Sequence, residues 1–149
     1  MTHIDEEIQL ANAIAITAHA GQKYGDEPYY NHVRRVADTV MGVGQNWVAA
    51  ALLHDVMEDT PVTAEHLIQA GISRDTVEIL ESLTRWKGET YKDYIERVRR
   101  TRQASIIKLA DLNDHLRNST TLKFGLSTRY NKAVDRIREN WGHEWWASR

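Results

Sequence analysis

The stretch Ala49-Ala-Ala-Leu-Leu-His54-Asp55-Val-Met-Glu58-Asp59-Thr60 decides how this chain is read. Five apolar residues run straight into a histidine and three carboxylates. Buried ionisable groups are costly unless something pairs with them. A divalent cation satisfies several such groups at once, so the segment points to a metal site. The same run predicts a helix over about 46–58, apolar nearly all round and placed at the centre of the domain.

Helical signals extend outward from it in both directions. Ile8, Ala11, Ala15 and Ala18 form an apolar stripe on a first helix, which Gly21 ends. Gly25-Asp26-Glu27-Pro28 reads as a turn. Asn31 is the expected N-cap of a second helix with Val33, Val36, Ala37 and Val40 on its buried face, closed by Gly42 and Gly44. Beyond Thr60-Pro61, short helices are expected after Thr63 and after the cap Ser73, the second with Val77, Leu80 and Thr84 on one side. Gly88 separates these from a helix starting near Tyr91. An apolar helix over 104–116 follows, then a last one from near Ser127 with Tyr130, Val134, Ile137 and Trp141 on one face. No segment alternates with period two, and there is no repeat or linker. The expectation is a compact all-α domain spanning 1–149.

Composition narrows the function. A chain of 149 residues can bury a real core. Its net charge of −2 gives no global case for nucleic acid or an anionic membrane. The absence of cysteine removes thiolate metal sites, disulfides and cysteine nucleophiles together. The acidic N-terminus lacks the pattern of a signal peptide, and no apolar run approaches membrane-spanning length, so a cytoplasmic protein is expected.

Two further residues complete the metal reading. His32 opens the second helix, and Asp111 is embedded in the apolar run Ile106-Ile-Lys-Leu-Ala-Asp-Leu112. His32, His54, Asp55 and Asp111 together offer two imidazoles and two carboxylates. That set suits Mn²⁺, Fe²⁺ or Zn²⁺, with Mg²⁺ a further option. On a helix His54 would lie beside Glu58 and Asp55 beside Asp59. Metal-assisted hydrolysis needs such a division: groups that hold an ion, and groups that handle a water. A lone His-Asp dipeptide would mean little, and a single buried histidine is more often a hydrogen-bonded core residue. Dismissing the whole set would require several buried charges to pair with one another, which is rarely stabilising.

Phosphates need cations or donors. Lys108, His115 and Asn118 extend the Asp111 stripe and read as a pocket wall, unless Lys108 simply pairs with Asp111 or Asp114. Lys23 is a candidate nucleotide contact or an ordinary surface lysine. His19 reads as a pocket residue or a satisfied core histidine. The basic run Arg97, Arg99, Arg100 and Arg102 reads as a solvated helix face rather than a nucleic-acid surface. In Trp141-Gly-His-Glu-Trp145-Trp146 the indoles are expected to pack on the core, with base stacking or a homodimer contact as alternatives.

Three blocks of this chain resemble one family. They are Ala18-His-Ala-Gly-Gln22 leading to Pro28-Tyr-Tyr-Asn-His32, then Leu52-Leu-His-Asp-Val-Met-Glu-Asp-Thr60, then Ile107-Lys-Leu-Ala-Asp111. In order and separation they are similar to the HD-domain phosphohydrolases, within them the hydrolase domain of RelA/SpoT-type alarmone enzymes and the small stand-alone alarmone hydrolases. The resemblance implies a helical fold around one Mn²⁺-type ion, with His32, His54, Asp55 and Asp111 as ligands. It implies that Glu58 and Asp59 orient and activate water. The implied reaction removes the 3′-pyrophosphate of guanosine tetra- or pentaphosphate, ppGpp, the alarmone of the stringent response. No alarmone synthetase domain is expected. The chain departs from the family at Lys23-Tyr24, where an Arg-Lys pair is usual, and at His115, where Asn is usual. Both departures spare the metal and touch substrate recognition. Nucleotidase or phosphatase action on other nucleotides (dNTP, NMP or NADPH) and a non-catalytic nucleotide-binding module are the competing expectations.

Overall fold

A computed structural model describes residues 3–41, 45–118 and 125–141. Gly42, Gly44, Trp145 and Trp146, to which the sequence assigned a helix end and a packing cluster, lie outside the described residues. The elements run α1 (His3–Ala18), β1 (Lys23–Tyr24), β2 (Glu27–Pro28), α2 (Tyr29–Val40), α3 (Gln45–Leu53), α4 (Val56–Asp59), α5 (Ala64–Ala70), α6 (Arg74–Leu83), α7 (Tyr91–Val98), α8 (Arg102–Arg117) and α9 (Leu126–Trp141). No helix among the described residues is long and apolar enough to cross a membrane.

The central helix is α3. Val48 through Leu53 are all buried, as expected of a helix apolar on every side. It packs against α1, α2, α6 and α8. Alanines make this crowding feasible. Ala49, Ala50 and Ala51 lie on α3, and Ala11 and Ala15 on α1 are fully buried, so the backbones approach without large side chains between them. A second layer is built on α8, which also contacts α2, α7 and α9. Ile107, Leu112, Val134 and Ile137 fill that part of the core.

Local capping sets four of the helix starts. Thr63, Ser73, Thr90 and Thr101 each accept a hydrogen bond from the backbone N–H three residues on. Each such cap is worth about 1 kcal/mol. Gly71 ends α5 at φ 114°, and a Cβ there would stand 3.2 Å from Leu10 Cδ2, so this turn also fixes how closely α1 approaches.

Three expectations are corrected. First, the expected turn is present at Gly25-Asp26, but it joins two short antiparallel strands that the all-α expectation does not include, with Lys23 opposite Pro28 and Tyr24 opposite Glu27. Strands of two residues are too short to show a period. Gly25, at φ 60°, supplies the left-handed residue that the two-residue loop requires. Second, α2 begins at Tyr29 with Pro28 in the capping position, and Asn31 bonds instead to Glu27 Oε2 at 3.2 Å. Third, the predicted 46–58 helix is interrupted at His54-Asp55, where α3 ends and α4 restarts. At that end of α3 the His54 ring takes the Ala51 carbonyl as its partner at 2.6 Å.

The basic run is also not a solvated face. Arg97 bonds to the carbonyls of Glu81, Ser82 and Thr84 and to both carboxylate oxygens of Glu89. Arg99 bonds to Glu96, Glu139 and Asn140, and Arg102 lies over the Trp47 ring. Arg100 alone of the four is exposed. Arginine bonds bound carbonyls better than water-facing charge would suggest, because its fork donates several bonds at once.

Candidate metal centre

The interruption after α3 places His54 and Asp55 where a continuous helix would not. His32 comes to them from α2 and Asp111 from α8. One ligand-type atom from each of His32, His54, Asp55 and Asp111 lies within 4.8 Å of the others. His32 is 0% exposed, Asp111 3%, His54 5% and Asp55 8%. Asp111 Oδ1 is 2.9 Å from His32 Nε2 and 3.3 Å from His54 Nε2. Asp55 Oδ2 is 2.9 Å from His54 Nε2 and 3.8 Å from His32 Nε2.

This arrangement fits a divalent cation. The Ala51 carbonyl can only accept, so His54 Nδ1 carries a hydrogen and Nε2 faces the carboxylates. His32 is held the same way, with Nδ1 2.7 Å from Asp114 Oδ2. Both rings thus present the Nε2 lone pair to one spot, with a protein acceptor behind each ring. Tyr29 donates to Asp55 Oδ2 at 2.6 Å and orients that carboxylate. Burial opposes the charge on His54, but Asp55 and Asp111 hold it well above its ordinary value. Burial likewise favours a neutral Asp111, yet Lys108 and the histidines hold it well below the carboxylate range. A cation and protons compete for the same lone pairs in such a cluster.

Glu58 and Asp59 stand on α4, one turn after the ligand pair. The backbone keeps part of the predicted relation, since Asp59 N–H donates to Asp55 O at 2.9 Å. Both side chains are exposed. Partial desolvation raises both carboxyl groups above their ordinary values. Lys108 opposes the shift at Glu58, while Asp55 and Asp59 add to it. Asp55 adds to the shift at Asp59, which Gln22 opposes by a hydrogen bond. Gln22 in turn accepts from His19 Nδ1 at 2.8 Å. His19 is buried, and its Nε2 has no hydrogen-bond partner. His19 thus sits in a chain leading to Asp59 rather than in the ligand cluster.

The other expected contacts divide. Lys108 forms the ion pair with Asp111, at 3.0 Å, and lies over the Tyr94 ring. His115 Nε2 is 3.4 Å from Asp111 Oδ1, and its ring is 4.5 Å from that of His32. Asn118 caps the end of α8, its amide donating to Asp114 O at 2.8 Å. Lys23 is exposed on β1.

Several residues at the site escaped the sequence reading. Tyr24 stacks on His32 at 4.6 Å and 4°. Tyr130 and Tyr91 continue a line of rings beyond His115, and the Tyr91 hydroxyl is buried without a partner. Asp114 pairs with Arg35, at 2.8 Å, and with His32, not with Lys108. A cleft of about 570 Å³ shares Met57 and Glu58 with the site and is otherwise lined by residues 84–90, including Arg85, Trp86 and Lys87. Nothing in the local pattern of that loop marked it as a wall. Its position follows from the Arg97 clamp. The Asp111–Asp114 spacing was a usable signal, since residues three apart share a helix face.

Known proteins resemble this chain in sequence and shape. A guanosine-3′,5′-bis(diphosphate) 3′-pyrophosphohydrolase of Aquifex aeolicus is 33% identical over 125 residues, covering 78% of this chain and 18% of that protein. The protein of the same name from Haemophilus influenzae is 34% identical, over 74% of this chain and 18% of its own length. The bifunctional (p)ppGpp synthase/hydrolase SpoT of Escherichia coli is 28% identical, over 79% and 19%. The chain thus spans under a fifth of the length of these curated relatives. A solved structure of a metazoan ortholog of SpoT that hydrolyzes ppGpp superposes with a TM-score of 0.75 at 25% identity, covering 94% of this chain and 88% of the other. The profile of the HD domain matches residues 11–123, and that match, three-quarters of the chain, makes it a member of the HD domain family.

Proposed function

We propose that this protein is a metal-dependent nucleotide pyrophosphohydrolase that removes the 3′-pyrophosphate of guanosine tetra- or pentaphosphate. The observation that carries the reading is the convergence of His32, His54, Asp55 and Asp111 within 4.8 Å, next to a carboxylate pair with raised proton affinity. The relatives named for this hydrolysis support the substrate class. His32, His54, Asp55 and Asp111 would hold the cation, and the mixed nitrogen and oxygen set suits Mn²⁺, with Fe²⁺, Zn²⁺ and Mg²⁺ as alternatives. Such an ion, when bound, lowers the pKa of a water and neutralises charge on the phosphoryl oxygens.

The chain's own groups supply the rest. Glu58 or Asp59 accepts the proton of the attacking water. A new bond forms between the water oxygen and the phosphorus attached to the 3′ oxygen. The bond from phosphorus to the 3′ oxygen breaks, its electron pair stays on the ribose oxygen, and a proton returns there. Pyrophosphate and a 3′-hydroxyl result. Lys23 and His115 are assigned to the substrate side, while Lys108 holds Asp111, Asn118 closes α8 and His19 reaches Asp59 through Gln22. The cleft beside Glu58 has the size of a small-molecule site, and Arg85 and Lys87 give it cations for phosphate.

A second reading has one specific support. Lys23-Tyr24 and His115 occupy recognition positions with side chains unusual for alarmone hydrolases, which favours another nucleotide at the same centre. A panel of ppGpp, dNTP, NMP and NADPH, run with Mn²⁺ and with chelator, tests both. Release of pyrophosphate from ppGpp that stops on chelation is the expected result. Phosphate or triphosphate from another nucleotide, with ppGpp untouched, replaces the substrate assignment. Binding without turnover replaces the enzyme by a nucleotide-binding module.

A further inference from the structure

Behind the ligand cluster lies a chain of charge–charge contacts that the proposed chemistry does not use. His32 Nδ1 is 2.7 Å from Asp114 Oδ2. Asp114 Oδ1 accepts from Arg35 Nε at 2.8 Å, and Oδ2 accepts from Arg35 Nη2 at 3.2 Å. Arg35 Nη2 reaches on to Glu27 Oε1 at 2.8 Å. The chain therefore links α8, α2 and β2, and it ends on the ring that stacks beneath Tyr24. His32 is fully buried and Asp114 is 7% exposed. A two-pronged arginine holds the carboxylate in one orientation. A carboxylate so paired only accepts, so it fixes the hydrogen of His32 on Nδ1 and turns Nε2 toward Asp55 and Asp111.

We infer that Asp114, braced by Arg35 and Glu27, is a positioning residue that sets the tautomer and ring angle of His32 and thereby the affinity of the cation site. This rests on the metal reading above and extends it to residues outside the ligand set. His54 shows the contrast: its Nδ1 is held by a backbone carbonyl, which no substitution removes. His32 relies on a side chain, so its half of the site is open to mutation.

The test is Mn²⁺ affinity, followed by the electron paramagnetic resonance signal of free Mn²⁺, in the full chain and in Asp114→Ala, Asp114→Asn and Arg35→Gln. Partners behind a metal-bound histidine typically contribute 10–100-fold in affinity, so Asp114→Ala is expected to weaken binding by about that factor. Asp114→Asn, whose amide oxygen still accepts from Nδ1, should fall between it and the parent. The Nδ1–H proton of His32 in the Zn²⁺-loaded protein should be sharp and downfield in the parent and lost in Asp114→Ala. Should Asp114→Ala fail to fold, the other two variants carry the test. Parent-like Mn²⁺ affinity in the folded variants overturns the inference, whatever happens to their melting temperatures. A parent chain that binds neither Mn²⁺ nor Zn²⁺ overturns the metal reading first and this inference with it.

Discussion

Two pairs of carboxyl groups stand close together at the site and behave oppositely. Asp55 and Asp111 are buried, yet His54 and His32 hold Asp55, and Lys108 with the histidines holds Asp111, well below the ordinary carboxylate range although burial pushes the other way. Glu58 and Asp59 are exposed, yet both are raised, by desolvation and then by carboxylates nearby. The side chains are chemically the same. What differs is which charges the fold places around them. Acids among cations stay ionised and are fit to hold a metal; acids facing acids keep a proton longer and are fit to move one.

The two pairs are most sensitive to change at Asp111. Asp111→Asn removes the shared partner of His32, His54 and Lys108. Breaking a buried ion pair from one side costs about 3–5 kcal/mol, and metal retention and turnover should vanish together. Metal content after gel filtration, with a melt, checks this; a variant that keeps its ion and its rate contradicts the ligand assignment. Glu58→Gln should do the reverse. It should retain the metal and lose about 10²–10⁴-fold in rate, the usual share of general acid–base catalysis. Metal and rate both surviving would remove Glu58 from the water-handling role.

The pH dependence sharpens the contrast. Because the folded-state pKa of Glu58 lies above its ordinary 4.5, the folded chain binds that proton more tightly than the unfolded one. Its contribution to stability is present below 4.5 and is lost as the pH rises through the folded value. Glu58→Gln should therefore melt no lower than the parent at neutral pH, and lower than that relative position in acid. Parallel melting curves at both pH values would show that Glu58 is not raised. In the same window the parent's rate should climb with pH as the carboxylate forms. The smallest effect belongs to the far end of the helix that carries Asp111: Thr101→Ala removes the α8 cap and should cost about 1 kcal/mol, with metal affinity and rate unchanged. A large loss of Mn²⁺ binding there would mean that the α8 start, and not Asp111 alone, sets the ligand geometry.

Much of the fold was legible because it is local. Ser73 caps the helix it was expected to cap, and Thr63 and Thr90, just before predicted helix starts, cap theirs too. Val77, Leu80, Val134 and Ile137 are buried on the faces their spacing implied. These features depend on residues three or four apart, so the sequence carries them directly. The reading failed where a local rule met a distant demand. Asn31 had the right chemistry for a cap, but the hairpin hands the chain to α2 two residues earlier, at Tyr29, and Asn31 falls inside the first turn. The 46–58 helix had the right periodicity, but it breaks at His54-Asp55, where the two side chains meet His32 and Asp111.

By itself, the sequence determined which residue types the site would contain and that helices would carry them, because apolar periodicity and caps are short-range properties. Only the tertiary structure decided what those residues do to one another. His32 meets Asp111 across 79 positions and Asp114 across 82. The pairing of Asp114 with Arg35 and the wall of the cleft at residues 84–90 are likewise products of packing. A charge's behaviour depends on its neighbours within a few ångströms, and in a buried cluster those neighbours come from chain segments that no local pattern connects.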